Sequence, residues 1–378
     1  MPMLTVTWKG RPYALNDPDA LLSPSLLIFR ALVRHNLDSM IAMARGTERL
    51  RPHMKTHKMA ELVRLTESMG IHKHKCATIA EAEMAATAGA TDVLIAYPLV
   101  GPNVGRLARL ANEYPATTFR AIVDHPASAR ALSEGLAGTA RPVPVLIDLD
   151  VGMGRTGIDP GEDALELARL VSGLPNLSLD GLSAYDGHIR ETDLNFRRAA
   201  ARPGIEATLR LRDRLQAEGI AVNRLVLGGT PTFPIHAECD EPDVECSPGT
   251  ATLHDASYAT RFPDLPFVPA ALLLTRVISQ PRPGRLCLDL GHKAVAADPA
   301  GPRLTLLGMP DATLGAQSEE HLVVETSDAA DYPPGTPLLA IPTHVCPTCA
   351  LHRRAYVIED GNLVAEWDVS ARDRRLSL

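Results

Sequence analysis

The chain has 378 residues, of which 45% are hydrophobic and 22% charged, a size and balance ordinary for a soluble globular enzyme with one large domain and a smaller one. A formal net charge of −7 argues against a general nucleic-acid binder, despite the basic stretch at residues 45–75. No apolar run approaches the length of a membrane span, and the opening MPMLTVTWKGRPYAL lacks the basic-then-apolar layout of an export signal. The six cysteines are spread through the chain, so reduced thiols and a cytoplasmic location are expected.

In chain order, the pattern predicts a strand around residues 4–8, a turn at Gly10 and a proline-punctuated lead-in at Pro18 and Pro24. Residues 25–44 read as one amphipathic helix, with Leu27, Ala31, Met40 and Ile41 among its apolar positions. A long alternation follows. Apolar strand-like segments at 51–55, 74–77, 92–97, 119–123, 145–149, 179–184, 225–227 and 244–246 are separated by helical patterns rich in Ala, Leu, Glu and Arg. Eight strands alternating with helices predict a (β/α)8 barrel of the TIM type. Beyond residue 260 the helical periodicity fades. Short strand-like runs at 271–278, 286–290, 304–307, 321–324, 337–341 and 355–358 predict a β-rich domain completed by the N-terminal strand. The expected division is a barrel at 20–260 and a β-rich domain at 261–378 together with 1–19.

Several unusual residues fall at the ends of the expected barrel strands, where active sites of such barrels lie. Lys55 ends the first, inside RPHMKTHK, where neighbouring imidazoles and cations disfavour its charged form. That is what a Schiff-base lysine requires; a solvated basic turn is the plainer reading of the octapeptide alone. Arg155 follows the fifth strand, and Tyr185 and His188 follow the sixth in LSAYDGHI. Gly228, Gly229 and Thr230 follow the seventh, and Ser247, Gly249 and Thr250 end the eighth. Glycines after strands seven and eight let backbone N–H groups converge on a phosphate. Farther on, His344 and Cys346 stand two residues apart on an expected β segment, so both would face one side and together suit zinc. HVCPTCALH also allows a closed four-ligand site that adds Cys349 and His352. Cys76, Cys239, Cys246 and Cys287 read as filler.

The motifs RPHMKTHK, CATIAEAEMA, LIAYPLVGP, DVGMGRTGI, AYDGHI, GGTPTF, SPGTA, EEH and PTHVCPT, in this order, cover nearly the whole chain. They resemble the D-threonine aldolase and D-serine dehydratase family, pyridoxal-phosphate enzymes with the alanine racemase type of fold. The resemblance implies a cofactor-bearing barrel, a C-terminal β-rich domain and a homodimer acting on a small D-amino acid, with no nucleic-acid or membrane partner. By matching motif, Lys55 would carry the cofactor. Arg155 would lie near its phenolic oxygen, Tyr185 near its ring nitrogen, and Thr78 among its contacts. The turns of Gly228, Gly229 and Thr230 and of Gly249 and Thr250 would surround its phosphate. His344 and Cys346 would hold a divalent metal that binds the substrate's β-hydroxyl. The thiolate favours zinc over manganese or magnesium.

Two activities fit this resemblance. Retro-aldol cleavage of a D-threonine-like substrate to glycine and an aldehyde is expected. Dehydration of D-serine or D-3-hydroxyaspartate to a 2-oxo acid and ammonia is the alternative. The Cys of His-x-Cys resembles the dehydratase branch. Many aldolases of the family carry a histidine three residues after the one matching His188, where this chain has Glu191. Glu191 either serves as the base for the hydroxyl proton or merely opens the next helix. An amino-acid racemase would need a second acid/base group and no metal. A non-catalytic pyridoxal-phosphate protein would have no use for His344 and Cys346.

Overall fold

The chain opens with an antiparallel pair, β1 (Leu4–Trp8) and β2 (Arg11–Leu15). They turn through Lys9 and Gly10, both at positive φ, which matches the twist of a tight hairpin. The computed structural model describes residues 3–378. These form two compact units. One takes in the chain up to Asp38, Thr56–Lys58 and Thr250–Arg372; the other takes in Ser39–Lys55, Met59–Gly249 and Asp373–Leu378. The chain crosses between the units at Asp38/Ser39, Lys55/Thr56, Lys58/Met59, Gly249/Thr250 and Arg372/Asp373.

Residues 25–44 are not one helix. Ser25–Phe29 is a strand, β3, and the helix begins at Arg30 and ends at Ala44. SLLIF is a continuous apolar run buried at all five positions. A short run of this kind carries no period that separates a buried strand from a buried helix.

The second unit is built on seven parallel strands: β4 (Lys73–Cys76), β5 (Asp92–Ile95), β6 (Thr118–Val123), β7 (Val143–Leu149), β8 (Leu177–Ala184), β9 (Arg224–Leu227) and β10 (Val244–Cys246). They pair in sequence order from β4 to β10. The expected first strand is reduced to two isolated parallel bridges, Leu50 to Cys246 and His53 to Lys75. Pro52 lies between them with no N–H to donate, and a 3-10 turn at Met54–Thr56 ends the segment. The two bridges still join the outer strands, β10 and β4, so the sheet closes on itself as a TIM-type barrel. Leu94, Ile122, Leu146 and Val226 meet in its interior, each contributing about 1.5–3 kcal/mol on burial.

Below that apolar layer, at the N-terminal ends of the strands, lies a belt of charge. Arg51 pairs with Glu245 and Asp92, both at 2.6 Å. Arg120 pairs with Asp92 and Asp180, and Arg224 pairs with Asp180 and Glu245. Lys73 adds a contact of 2.8 Å to Glu245. Arg51 is fully buried. It belongs to this structural layer, although it stands in the same octapeptide as Lys55.

The other unit is a nine-stranded, mainly antiparallel sheet. Its further strands are β11 (Ala271–Arg282), β12 (Arg285–Leu288), β13 (Leu304–Leu306), β14 (Thr313–Gln317), β15 (Leu322–Glu325), β16 (Pro337–Pro342), β17 (Arg354–Glu359) and β18 (Asn362–Asp368). The N-terminal segment that completes this sheet is β3, which pairs antiparallel with β11 and parallel with β17. Among the described residues β1 pairs only with β2, and it packs its Leu4, Val6 and Trp8 against the core of this unit. Strands β14 and β18 had no signal in the pattern, because both are largely exposed.

Candidate active site

Tyr185 comes directly after β8, and its ring is the meeting point of three cations. Lys55 Nζ lies 5.8 Å from the ring centroid, Lys75 Nζ 5.9 Å, and the guanidinium carbon of Arg155 5.1 Å, all within the reach of cation–π attraction. Neighbouring glycines admit the ring. A Cβ on Gly187 would stand 2.1 Å from the Tyr185 hydroxyl oxygen, and one on Gly229 would stand 3.1 Å from its ring edge. Three cations around an aromatic ring suit a planar, polyanionic aromatic ligand, and pyridoxal phosphate is one.

Behind Tyr185, Asp186 accepts hydrogen bonds from Thr232 and from the His236 ring, both at 2.7 Å. Burial pushes the Asp186 carboxyl up, but His236 and Thr232 outweigh it and hold the group below the usual carboxylate range. The network fixes the turn that carries Gly228 and Gly229. Gly228 has φ +73°, and a Cβ there would fall 2.2 Å from the His236 ring, so only glycine fits.

The expected phosphate donors are engaged locally. The Gly229 N–H donates to Thr232 Oγ1 at 3.3 Å, and the Gly249 N–H donates to Thr230 Oγ1 at 3.1 Å. Thr78 caps the helix Ile79–Thr87 by accepting from the Glu81 N–H at 3.1 Å, while Glu81 accepts from the Ala77 N–H at 2.7 Å. This cap sits just past β4, at the C-terminal end of the barrel. His188 and Glu191 are exposed. The His188 ring packs on the glycine loop after β7, close to Gly152. Asp150 organises that loop by accepting from the Gly154 and Gly152 N–H groups, which hold its carboxyl low. Glu191 accepts from the Arg190 N–H and precedes Asp193, the cap of helix Leu194–Ala217. It therefore lies in the loop and does not open that helix.

His344 and Cys346 belong to the other unit, and their segment is not a strand. His344 caps the short helix Val345–Leu351, with extended backbone of its own, and Cys346 lies in the first turn. The side chains still meet. A hydrogen bond to Cys346, together with Asp298, raises the His344 imidazole to about 9 against the opposing effect of burial. Asp298 Oδ2 lies 2.5 Å from His344 Nδ1. The Cys346 sulfur lies 3.2 Å from the hydroxyl of Thr56 and 3.7 Å from that of Thr250. Buried Asp255 accepts from the Val345 N–H at 3.2 Å and so anchors the segment. An imidazole with its Nδ1 held by a carboxylate, next to a thiol, is a donor set that suits zinc with further positions open. Cys349 is fully buried and His352 bonds Ala294 O at 2.8 Å. Among the described residues no three or more of His, Cys, Asp and Glu are gathered as a ligand set.

Sequence reasoning left out Lys75, Asp186, Asp255 and Asp298 as parts of these clusters. Lys75 had a usable signal. Lys73 and Lys75 alternate on one face of a short strand that otherwise reads as buried. Asp298 had none, since 46 residues separate it from His344.

Comparison with known proteins accords with this geometry. Residues 28–253 match the family model described as "Alanine racemase, N-terminal domain", and residues 270–358 match the one described as "Putative serine dehydratase domain". The chain is 31% identical to a D-threonine aldolase of Arthrobacter sp, over 96% of each chain. It is 29% identical to a 3-hydroxy-D-aspartate aldolase of Paracoccus denitrificans, over 95% of this chain and 94% of the relative. The crystal structure of D-threonine aldolase from Filomicrobium marinum superposes with a TM-score of 0.86 at 28% identity, covering 93% of this chain and 96% of that one. The chain therefore belongs to the D-threonine aldolase and D-serine dehydratase family, pyridoxal-phosphate lyases built on the alanine racemase type of fold.

Proposed function

We propose that the protein cleaves D-β-hydroxy amino acids by the retro-aldol route, releasing glycine and an aldehyde from a D-threonine-like substrate. The convergence of Lys55, Lys75 and Arg155 on the Tyr185 ring supports the cofactor part of this reading, and the 31% identity to a D-threonine aldolase over 96% of each chain favours cleavage. Lys55 holds the cofactor as the Schiff-base lysine. Arg155 and Tyr185 bind and orient its ring, and the turns at Gly228–Thr230 and Gly249–Thr250 hold its phosphate once the Gly229 and Gly249 N–H groups leave their local hydroxyl partners, with Thr78 beside them. When bound, pyridoxal phosphate serves as an electron sink for a bond broken at Cα. His344 and Cys346 would hold a divalent metal, zinc by the softness of the donor pair, and such a metal would supply Lewis-acid stabilisation to a hydroxyl oxygen.

The protons are moved by the chain's own side chains. In cleavage, His188 or Glu191 takes the β-hydroxyl proton while the Cα–Cβ bond breaks and Cβ becomes an aldehyde carbon. Cα then receives a proton and leaves in glycine. In dehydration, the Lys55 amine takes the Cα proton and the β-hydroxyl departs as water; the enamine released tautomerises to an imine, and a water molecule hydrolyses it to the 2-oxo acid and ammonia. Two observations favour dehydration as a second reading: the thiolate in His-x-Cys, and the match of residues 270–358 to a dehydratase domain. The cysteines are all free thiols, which supports a reducing, cytoplasmic setting, and a homodimer is carried over from the resemblance.

The deciding experiment incubates purified protein with D-threonine and with D-serine and measures glycine, 2-oxobutanoate and pyruvate separately. Glycine from D-threonine supports cleavage. Pyruvate or 2-oxobutanoate without glycine overturns it in favour of dehydration. Borohydride reduction should fix the cofactor on the peptide that contains Lys55; fixation on Lys58 or Lys75 overturns the assignment.

A further inference from the structure

We propose that Lys75 is a cofactor-binding residue: its buried ammonium supplies the counter-charge for an anionic oxygen of pyridoxal phosphate held against the Tyr185 ring. The inference rests on the reading of that ring as the cofactor site. Lys75 stands opposite Leu94 in the register of β4 and β5, and Leu94 belongs to the interior cluster with Ile122, Leu146 and Val226. Partners in a parallel pair face the same side of the sheet, so the Lys75 side chain rises from the apolar layer inside the barrel. It ends with Nζ 5.9 Å from the Tyr185 ring centroid. Only 4% of Lys75 is exposed.

An ammonium carries three N–H donors and no acceptor. Among the described residues, Lys75 Nζ donates no hydrogen bond and makes no ion pair. The charged and titratable groups around it are Lys55, Arg51 and His53 from the closing segment, Asp148 from β7 and Asp186 from the loop after β8; Arg155 lies across the Tyr185 ring. Both carboxylates are engaged elsewhere. Asp148 accepts from Thr156 at 3.0 Å and from Ser183, and Asp186 is held by Thr232 and His236. Burial pushes Lys75 down to about 8, with Lys55 the next cause and the two carboxylates opposing it in part. A buried charge without a direct partner is costly, and an anion docked against it offsets that cost. Pyridoxal phosphate brings anionic oxygens on its phosphate and on its ring. Stability given up at one position in favour of ligand binding is a recurrent exchange in active sites.

The test titrates the full-length apoprotein with pyridoxine phosphate in a calorimeter. This ligand has no aldehyde, so its binding does not pass through an imine at Lys55. Lys75→Met should weaken it about 10- to 100-fold at pH 7, the range for a hydrogen bond to a charged group, and Lys75→Arg should recover most of the loss. The pH dependence has a definite sign. Binding favours the charged amine, so the ratio of wild-type to Lys75→Met affinity should shrink as pH rises above about 8; the ligand's own titration cancels in that ratio. Removal of an unpaired buried charge should leave the urea midpoint of the apoprotein unchanged or higher. Equal affinity in wild type and Lys75→Met overturns the inference. A Lys75→Met apoprotein that fails to fold also overturns it, because Lys75 is then a structural residue. The two levels stay separate: a wild-type apoprotein that does not bind pyridoxine phosphate sinks the cofactor reading itself, whereas binding indifferent to Lys75 sinks only this inference. A parallel titration with pyridoxine, which lacks the phosphate, locates the contact. A loss confined to the phosphate ester puts it on the phosphate, and an equal loss for both ligands puts it on the ring oxygen.

Discussion

Asp298 and His254 illustrate how far one side chain's surroundings set its chemistry. Asp298 is half-exposed, yet its carboxylate holds Nδ1 of His344, which fixes the ring and leaves Nε2 for the proposed metal. Outer carboxylates of this kind typically matter by 10–100-fold, so Asp298→Asn should weaken zinc binding by about that factor. Competition against a chromophoric chelator measures it, and unchanged affinity would remove Asp298 from the site. His254 is fully buried with φ +51°, and neither ring nitrogen has a hydrogen-bond partner among the described residues. Burial, with Lys9 adding to it, lowers its pKa to about 3. The folded protein thus favours the neutral ring, while the unfolded chain binds a proton near pH 6.5. The sign follows from linkage: stability is full above about 6.5 and declines as pH falls toward 3. Urea unfolding at a series of pH values should show this slope, and His254→Asn, which tolerates the same backbone and does not titrate, should flatten it.

Among the elements, the turn after β9 and the segment around His344 carry the most consequence. At Gly229 a Cβ would press the Tyr185 ring edge at 3.1 Å, and branching would push the ring further. Gly229→Val should therefore lower retention of pyridoxal phosphate on gel filtration while zinc content stays at the wild-type level. Loss of zinc with intact cofactor affinity would mean that the turn serves the other ligand. The His344 segment was expected to be a strand, whose period of two would set both ligands on one face. It is a helix start, and the two side chains meet for another reason. His344 has extended backbone as the capping residue and Cys346 falls in the first turn, which returns the sulfur to the imidazole. Spacing alone singled out the pair as candidate ligands; the element that joins them was not legible, because Pro342 and Pro347 flank too short a segment to show a period.

For the whole molecule, the charge belt of the barrel is the main structural surprise. Arg51, Arg120 and Arg224 interleave with Asp92, Asp180 and Glu245 at the N-terminal end. Burial works against ionised Glu245, but Arg51 and its neighbours hold it at about 2. Removing one partner from such a layer strands the others, so Arg51→Met should cost about 3–5 kcal/mol, read as a shift in the urea midpoint. A change near zero would mean that the belt is solvated in solution. The β/α alternation, the glycine turns after the later strands, the lysine in RPHMKTHK and the His-x-Cys pair were determined by the sequence itself. They depend on residues that are close along the chain: periodicity, backbone freedom and side-chain type are local properties. Tertiary structure alone decided that Arg51 faces the charge belt, bonding Glu245 across 194 positions, while Lys55, four residues later, faces Tyr185. It also decided that SLLIF is a strand, that Lys75 shares the ring with Lys55, and that Asp298 orients His344. Each of these depends on barrel closure or strand register, which join distant segments and leave no trace in local spacing.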